Sequence, residues 1–167
     1  GIGPEVIKEG LRVMKHLTPE YELEEFDLSA ERYLRDGTTM PAETMERWRN
    51  EFDAIYLGAL GDPRVPSNVH AKEILLGARF QLDLFINLRP IKLLDQRRCP
   101  LKDKTCNDLN FTVFRENTEG LYTGIGGQFK RGTADEIAIE QEINTRKGVE
   151  RIIRAAFAYA DLHGLTK

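Results

Sequence analysis

Segments of helical period and short apolar runs take turns along this chain, and that alternation constrains the fold more than any other feature. Behind Pro4, which suits a first helical turn, Val6, Ile7, Leu11, Met14 and Leu17 recur at helical spacing to about Leu17. Glu20 to Leu28 alternates polar and apolar residues and predicts a strand. Ser29 is placed to cap a short helix through Leu34, and Asp36-Gly37 is a turn. A helix from Pro41 carries Met45 and Trp48. Asp53 to Leu60 is an apolar run ending among glycines, which suits a buried parallel strand. After a loop from Gly61 to Asn68, the spacing predicts a long helix from Val69 to Ile86, with Ile74, Leu75, Ala78, Leu82 and Phe85 as its apolar stripe.

The second half continues the pattern. Ile91 to Leu94 and Leu109 to Phe114 predict strands, separated by a polar loop from Gln96 to Asp108. A Gly-rich excursion covers Tyr122 to Gly127, and Glu136 to Asn144 predicts an exposed strand. Lys147 to Leu162 predicts a helix whose core face holds Val149, Ile152, Ile153, Ala156, Phe157 and Ala160. Strands alternating with helices define an α/β class. A handover between two domains is expected near Arg89 to Asp108.

Composition excludes several function classes. At 41% hydrophobic and 31% charged residues the chain carries enough apolar side chains for a core and is not expected to be disordered. Lys plus Arg number 24 against 27 Asp plus Glu, so there is no basic surplus to favour nucleic acid. No apolar run is long enough to span a bilayer. The N-terminus is not a basic stretch before an apolar core, so no secretory signal is read there. Cys99 and Cys106 have no zinc spacing and are expected as reduced thiols. His16, His70 and His163 lie far apart and are expected to face solvent or cap helices. No Asp/Glu cluster stands at ligand spacing, so no metal ligand is assigned.

Candidate chemistry gathers on glycines, arginines and a tyrosine. Gly1-Ile2-Gly3 turns into a helix N-terminus, where an anion or dipolar ligand can bind, but Val6 stands where a dinucleotide fingerprint needs its third glycine. Gly58 to Pro63 is a second glycine-bearing strand exit; either stretch could also be an ordinary turn. Arg79 follows Leu75 by four residues and Leu76 by three, so a guanidinium stands beside an aliphatic pair. Arg89 is held extended by Pro90, and Arg115 shares a strand face with Phe111 and Val113. Three converging guanidinium forks would suit a substrate with two carboxylates. Each arginine could instead pair with a surface carboxylate. Tyr122, seven residues beyond Arg115, could donate a proton to a developing enolate or simply pack.

Four stretches occur in order: Gly1-Ile2-Gly3-Pro4-Glu5-Val6, Leu57-Gly58-Ala59-Leu60-Gly61-Asp62-Pro63, Asn87-Leu88-Arg89-Pro90, and Arg115-Glu116-Asn117-Thr118-Glu119-Gly120-Leu121-Tyr122. Together they resemble the β-decarboxylating dehydrogenases, which act on isopropylmalate, isocitrate or tartrate/malate. The resemblance implies the isopropylmalate/isocitrate dehydrogenase-like fold, of which this chain is expected to be the N-terminal half. Residues 1–88 would belong to a first, cofactor-side α/β domain and 89–167 to a second, dimerisation domain. It implies oxidation and decarboxylation of a 2-hydroxy-3-carboxy acid with NAD or NADP and Mg²⁺ or Mn²⁺.

By motif match, Arg79, Arg89 and Arg115 would bind the substrate carboxylates and Tyr122 would protonate the enolate after CO₂ leaves. Leu75 and Leu76 would face the variable group of the substrate. Ile2 and Gly58, Ala59, Leu60, Gly61, Asp62 and Pro63 would lie along the nicotinamide cofactor, taken as NAD. The metal ligands and the catalytic lysine would lie outside this chain, leaving it inactive by itself. The aliphatic pair Leu75-Leu76 favours the isopropyl group of 3-isopropylmalate, as in leucine biosynthesis, over tartrate or D-malate. A catalytically inactive regulatory subunit on the same scaffold is the alternative from another class. The family implies a cytoplasmic homodimer, with Glu136 to Asn144 as a candidate intersubunit arm.

Overall fold

The computed structural model describes residues 3–18 and 20–165. The chain divides into two compact units, Gly1–Leu82 and Asp83–Lys167. The division falls ahead of the expected handover between residues 88 and 89, because strand β1 (Ile86–Lys92) is paired along its whole length within the second unit.

In the first unit, α1 covers Gly3–Leu17, α2 Ala30–Asp36 and α3 Ala42–Asn50. Ser29 caps α2 by accepting the Arg32 N–H at 3.2 Å. Gly37, at φ 75°, closes the helix through its N–H to the Tyr33 carbonyl. Met45 and Trp48 lie one turn apart on α3 and are buried against Ile74 and Ala78. Phe26, Leu28, Met40, Phe52, Leu60 and Leu82 pack around that cluster.

Two expected strands are absent from this unit. Residues 20–28 and 53–60 form no ladder, because a strand needs hydrogen-bonded neighbours and none lies beside them among the described residues. Side chains hold both segments instead. Phe26 meets Trp48 and Phe52 edge-on at 5.8 and 5.4 Å, and Arg47 grips the Glu24 carboxylate with two bonds of 2.7 Å. The second segment crosses α1 where glycine permits it. A Cβ on Gly3 would stand 2.5 Å from the Ala59 carbonyl oxygen, and one on Gly58 3.1 Å from the Gly3 Cα.

The long helix is also shorter and less regular than its spacing predicts. A turn of α4 (Val69–Ala71) runs into a π-helical turn, Lys72–Leu76, and then α5 (Gly77–Gln81). Asp83 adopts φ 48° and turns the chain out, so Phe85 does not continue the stripe. His70 corrects the expectation of exposed histidines. It is fully buried, its ring stacked on Tyr33 at 6.3 Å, and neither ring nitrogen has a hydrogen-bond partner among the described residues.

In the second unit, β1 pairs antiparallel with β2 (Asn110–Glu116), and β3 (Gly126–Phe129) with β4 (Ile137–Glu140). Both sheets among the described residues are thus antiparallel pairs, and the chain is a mixed helix and strand structure. The expected exposed strand appears as β4, with Ile137 and Ile139 open to solvent. Helix α6 (Arg146–Leu162) is capped by Thr145, which accepts the Gly148 N–H at 3.0 Å; Glu119 in turn accepts the Thr145 N–H and Oγ1 at 2.7 and 2.6 Å.

Only part of the expected core face of α6 is covered. Tyr159 meets Phe114 of β2 edge-on at 5.2 Å, and Ile152 and Ala156 lie half-buried on that side. Val149, Ile153 and Phe157 are exposed. The helix is apolar on two sides, and a two-stranded sheet covers one.

Candidate functional site

The antiparallel register decides which side chains of the second unit share a face. Asn87 lies opposite Arg115 and Arg89 opposite Val113. Because side chains alternate along a strand, Asn87, Arg89 and Ile91 stand on one face with Phe111, Val113 and Arg115. The period-two reading of Arg115 with Phe111 and Val113 therefore holds. The opposite face carries Phe114 and Glu116 towards α6: Glu116 accepts Arg151 Nη2 at 2.7 Å. The two faces have different work. One docks the helix, and the other presents two guanidinium groups.

Those guanidinium groups depart from the chain's usual pattern. Arg47, Arg64, Arg97, Arg151 and Arg154 all hold carboxylates within 3 Å. Arg89 and Arg115 form no ion pair among the described residues. Arg89 donates its Nε–H to Asn87 Oδ1 at 2.8 Å. The Arg115 guanidinium stacks over the Tyr122 ring, 4.7 Å from its centroid. Tyr122 sits in a 3₁₀ turn, Leu121–Thr123, set between Gly120 (φ 76°) and Gly124 (φ 66°). Arg115 and Tyr122 are thus in contact, and Arg89 stands on the same sheet face two residues along β1 from the partner of Arg115.

Asn87 and Asn117 belong to this cluster and were not singled out from the sequence. Asn87 Nδ2 donates to Asn117 Oδ1 at 3.1 Å, and Asn117 Nδ2 donates to the Leu84 carbonyl at 3.1 Å. Asn117 is buried. The signal was present: each asparagine stands two residues from a candidate arginine, hence on its face.

The remaining candidates lie in the first unit. Arg79 is half-buried on α5, and Leu75 and Leu76 are half-buried in the π-helical turn before it. Of the cofactor candidates, Ile2 lies outside the described residues. Gly58 abuts the first turn of α1. Ala59 and Pro63 are exposed, Leu60 packs on the core, and Gly61 is half-buried. Asp62 is buried and organises its own loop. Its carboxylate accepts the Arg64 backbone N–H, Nε and Nη2 at 2.9, 2.9 and 2.7 Å. That guanidinium holds the Asp62 carboxyl well below the usual carboxylate range. Among the described residues no group of three or more His, Cys, Asp or Glu side chains could hold a metal ion.

A family model described as isocitrate/isopropylmalate dehydrogenase matches residues 1–167. The chain belongs to the isocitrate/isopropylmalate dehydrogenase family. It is 47% identical over 161 residues to a 3-isopropylmalate dehydrogenase of Frankia casuarinae, covering 96% of this chain and 46% of that relative. A 3-isopropylmalate dehydrogenase of Nocardia farcinica is 48% identical over 160 residues, covering 96% and 47%. Among solved structures, an isocitrate dehydrogenase from Methylococcus capsulatus superposes with a TM-score of 0.70 at 26% identity, covering 99% of this chain and 46% of that one. A beta-decarboxylating dehydrogenase from Thermococcus kodakarensis gives 0.65 at 31%, covering 99% and 44%. The chain spans about half the length of the curated relatives it matches. The dehydrogenase family thus agrees with the fold and with the four ordered stretches. No helix among the described residues is long and apolar enough to cross a membrane.

Proposed function

We propose that this chain serves an NAD-dependent oxidative decarboxylation of a 2-hydroxy-3-carboxy acid, with 3-isopropylmalate as the substrate. The observation that carries the reading is the unneutralised pair Arg89 and Arg115 beside Tyr122 on one sheet face. Two guanidinium forks suit a dicarboxylate, and a phenol among cations is placed to give up a proton. The similarity to proteins described as 3-isopropylmalate dehydrogenases supports the choice within the family. So does the apolar pair Leu75-Leu76, which suits an isopropyl branch better than a third carboxylate.

In this reading Arg89 and Arg115 bind and orient the two carboxylates. Ile2 and Gly58 to Pro63 would hold NAD, which would supply the oxidant for the hydride leaving C2. The C3–carboxylate bond then breaks, CO₂ leaves with its electron pair remaining on the enolate, and Tyr122 delivers its hydroxyl proton to C3. The 2-hydroxyl proton goes to a base that none of these residues supplies. Mg²⁺ or Mn²⁺ is part of the reading through the family alone. The proposed setting is a cytoplasmic homodimer, to which the exposed β3–β4 hairpin would contribute as an intersubunit arm.

The test is NAD reduction by the full-length protein with 3-isopropylmalate, D-malate, tartrate and isocitrate in the presence of Mn²⁺. Fastest turnover on 3-isopropylmalate is expected. Preference for another acid overturns the specificity, and no reduction with any of them favours a regulatory subunit. The 167-residue chain by itself is expected to be inactive.

A further inference from the structure

We propose that Asn87 and Asn117 form a neutral amide relay that positions Arg89 for a carboxylate while leaving its charge unneutralised. The inference rests on the reading of Arg89 as a carboxylate-binding residue and adds what sets its aim.

The direction of the relay is decided at its buried end. The Leu84 carbonyl can only accept, so the side-chain NH₂ of Asn117 must point to it. The Asn117 oxygen is then left facing Asn87, which must present its own NH₂ there. That in turn fixes the Asn87 oxygen towards Arg89, where it accepts Nε–H. One backbone carbonyl thus orients two amides in series. Asn117 is anchored further by its backbone N–H to the Phe85 carbonyl at 3.0 Å. Burial of Asn117 makes the order costly to reverse, since a flipped amide would set two acceptors against each other.

The relay does two things to Arg89. With Nε engaged, only the Nη1/Nη2 edge remains, and that edge meets a carboxylate end-on through two parallel bonds. The bond also draws the guanidinium back along β1 towards Asn87, the residue directly opposite Arg115. Arg89 and Arg115 thus share one sheet face, and neither is held by a carboxylate among the described residues. A carboxylate in place of Asn87 would also accept the Arg89 Nε–H, but it would cancel the charge the substrate needs. A neutral acceptor orients without neutralising, in contrast to the carboxylates on Arg47 and Arg64.

Three readouts test the relay: hydrogen exchange of the Arg89 Nε–H by NMR, titration calorimetry with 3-isopropylmalate, and steady-state kinetics. In the wild-type protein the Nε–H is expected to exchange more slowly than that of an exposed arginine. Asn87→Ala should remove that protection and raise Kd and KM about tenfold or more, with kcat changed little. Asn87→Asp should keep the protection yet still weaken binding, a split that a merely structural role would not produce. Asn87 is half-buried on a strand, so these variants should fold, whereas Asn117→Ala would open a hole at a buried position. Rapid exchange in the wild type, or wild-type affinity in Asn87→Ala, overturns the relay. A wild-type protein with a protected Nε–H that binds no dicarboxylate overturns the functional reading and, with it, the purpose assigned here.

Discussion

The Arg115 guanidinium lies 4.7 Å from the centroid of the Tyr122 ring, stacked on its face. The contact places a fixed positive charge beside the phenol, whose turn is bounded by two glycines of positive φ. Removing the hydroxyl while keeping the ring separates the two roles. Tyr122→Phe should preserve the stacking and substrate affinity but lower turnover by roughly a hundredfold or more, the scale of a lost general acid. Steady-state kinetics on 3-isopropylmalate check this; an unchanged kcat would take Tyr122 out of the acid role.

Arg151 ties the helix face of β2 to α6. It bonds Glu116 at 2.7 Å, Thr118 Oγ1 at 2.5 Å and Asp83 at 2.9 Å, and its guanidinium stacks on Phe85 at 4.5 Å. Its side chain is 18% exposed and that of Glu116 14%, so breaking the pair strands a poorly solvated charge. Arg151→Ala should destabilise the second unit by about 2–4 kcal/mol. A double-mutant cycle with Glu116→Gln in urea measures the coupling, and additive effects would refute it.

The same pair sets an acid limit. Burial pushes the Glu116 carboxyl up, but bonds from Arg151, Thr118 and the Glu119 N–H together outweigh it and hold the group below its usual range. A depressed folded pKa contributes stability above the unfolded value of about 4.3, and that contribution fades as pH falls through the lower folded value. Thermal midpoints of wild type and Glu116→Gln should therefore converge only as pH falls through the lowered folded value. A difference that persists undiminished in acid would show that Glu116 acts otherwise.

Asp62 offers a parallel test in the glycine-bearing loop. Its carboxyl is held low by Arg64, so the loop should stay ordered at pH values where ordinary carboxylates have protonated. Asp62→Asn should speed amide exchange at Arg64, whose N–H the carboxylate accepts. The same variant should weaken NAD binding only through disorder of the loop, since the carboxylate is already engaged. Loss of NAD affinity with unchanged exchange would instead point to direct contact.

Gly3→Ala tests how the segment around Gly58 and Ala59 is seated. The added methyl would stand 2.5 Å from the Ala59 backbone oxygen, and backbone cannot rotate away as a side chain can. The segment 58–59 should shift from α1, with a loss of stability of about 1–3 kcal/mol. Urea unfolding followed by Trp48 fluorescence, the sole tryptophan, reports it. An unchanged midpoint would mean that the two segments do not abut.

Much of this protein was legible in its sequence wherever the deciding physics is local. Ser29 and Gly37 bound α2 because a cap needs only an oxygen or a left-handed residue at the right place. The helical spacing of α1, α3 and α6, the exposed β4 and the shared face of Arg115 with Val113 needed only period and pattern. The four ordered stretches pointed to the family. What pattern could not decide was whether a segment finds partners. Residues 20–28 and 53–60 read as strands, yet a ladder is a relation between two segments, and no second segment is beside them among the described residues. Val149, Ile153 and Phe157 read as core, although a helix with apolar side chains on two sides cannot choose which side a small sheet will cover. Asn87 and Asn117 stood in plain view inside the family stretches. Only the register of β1 against β2, and the one carbonyl at Leu84 that orients both amides, revealed that they aim an arginine.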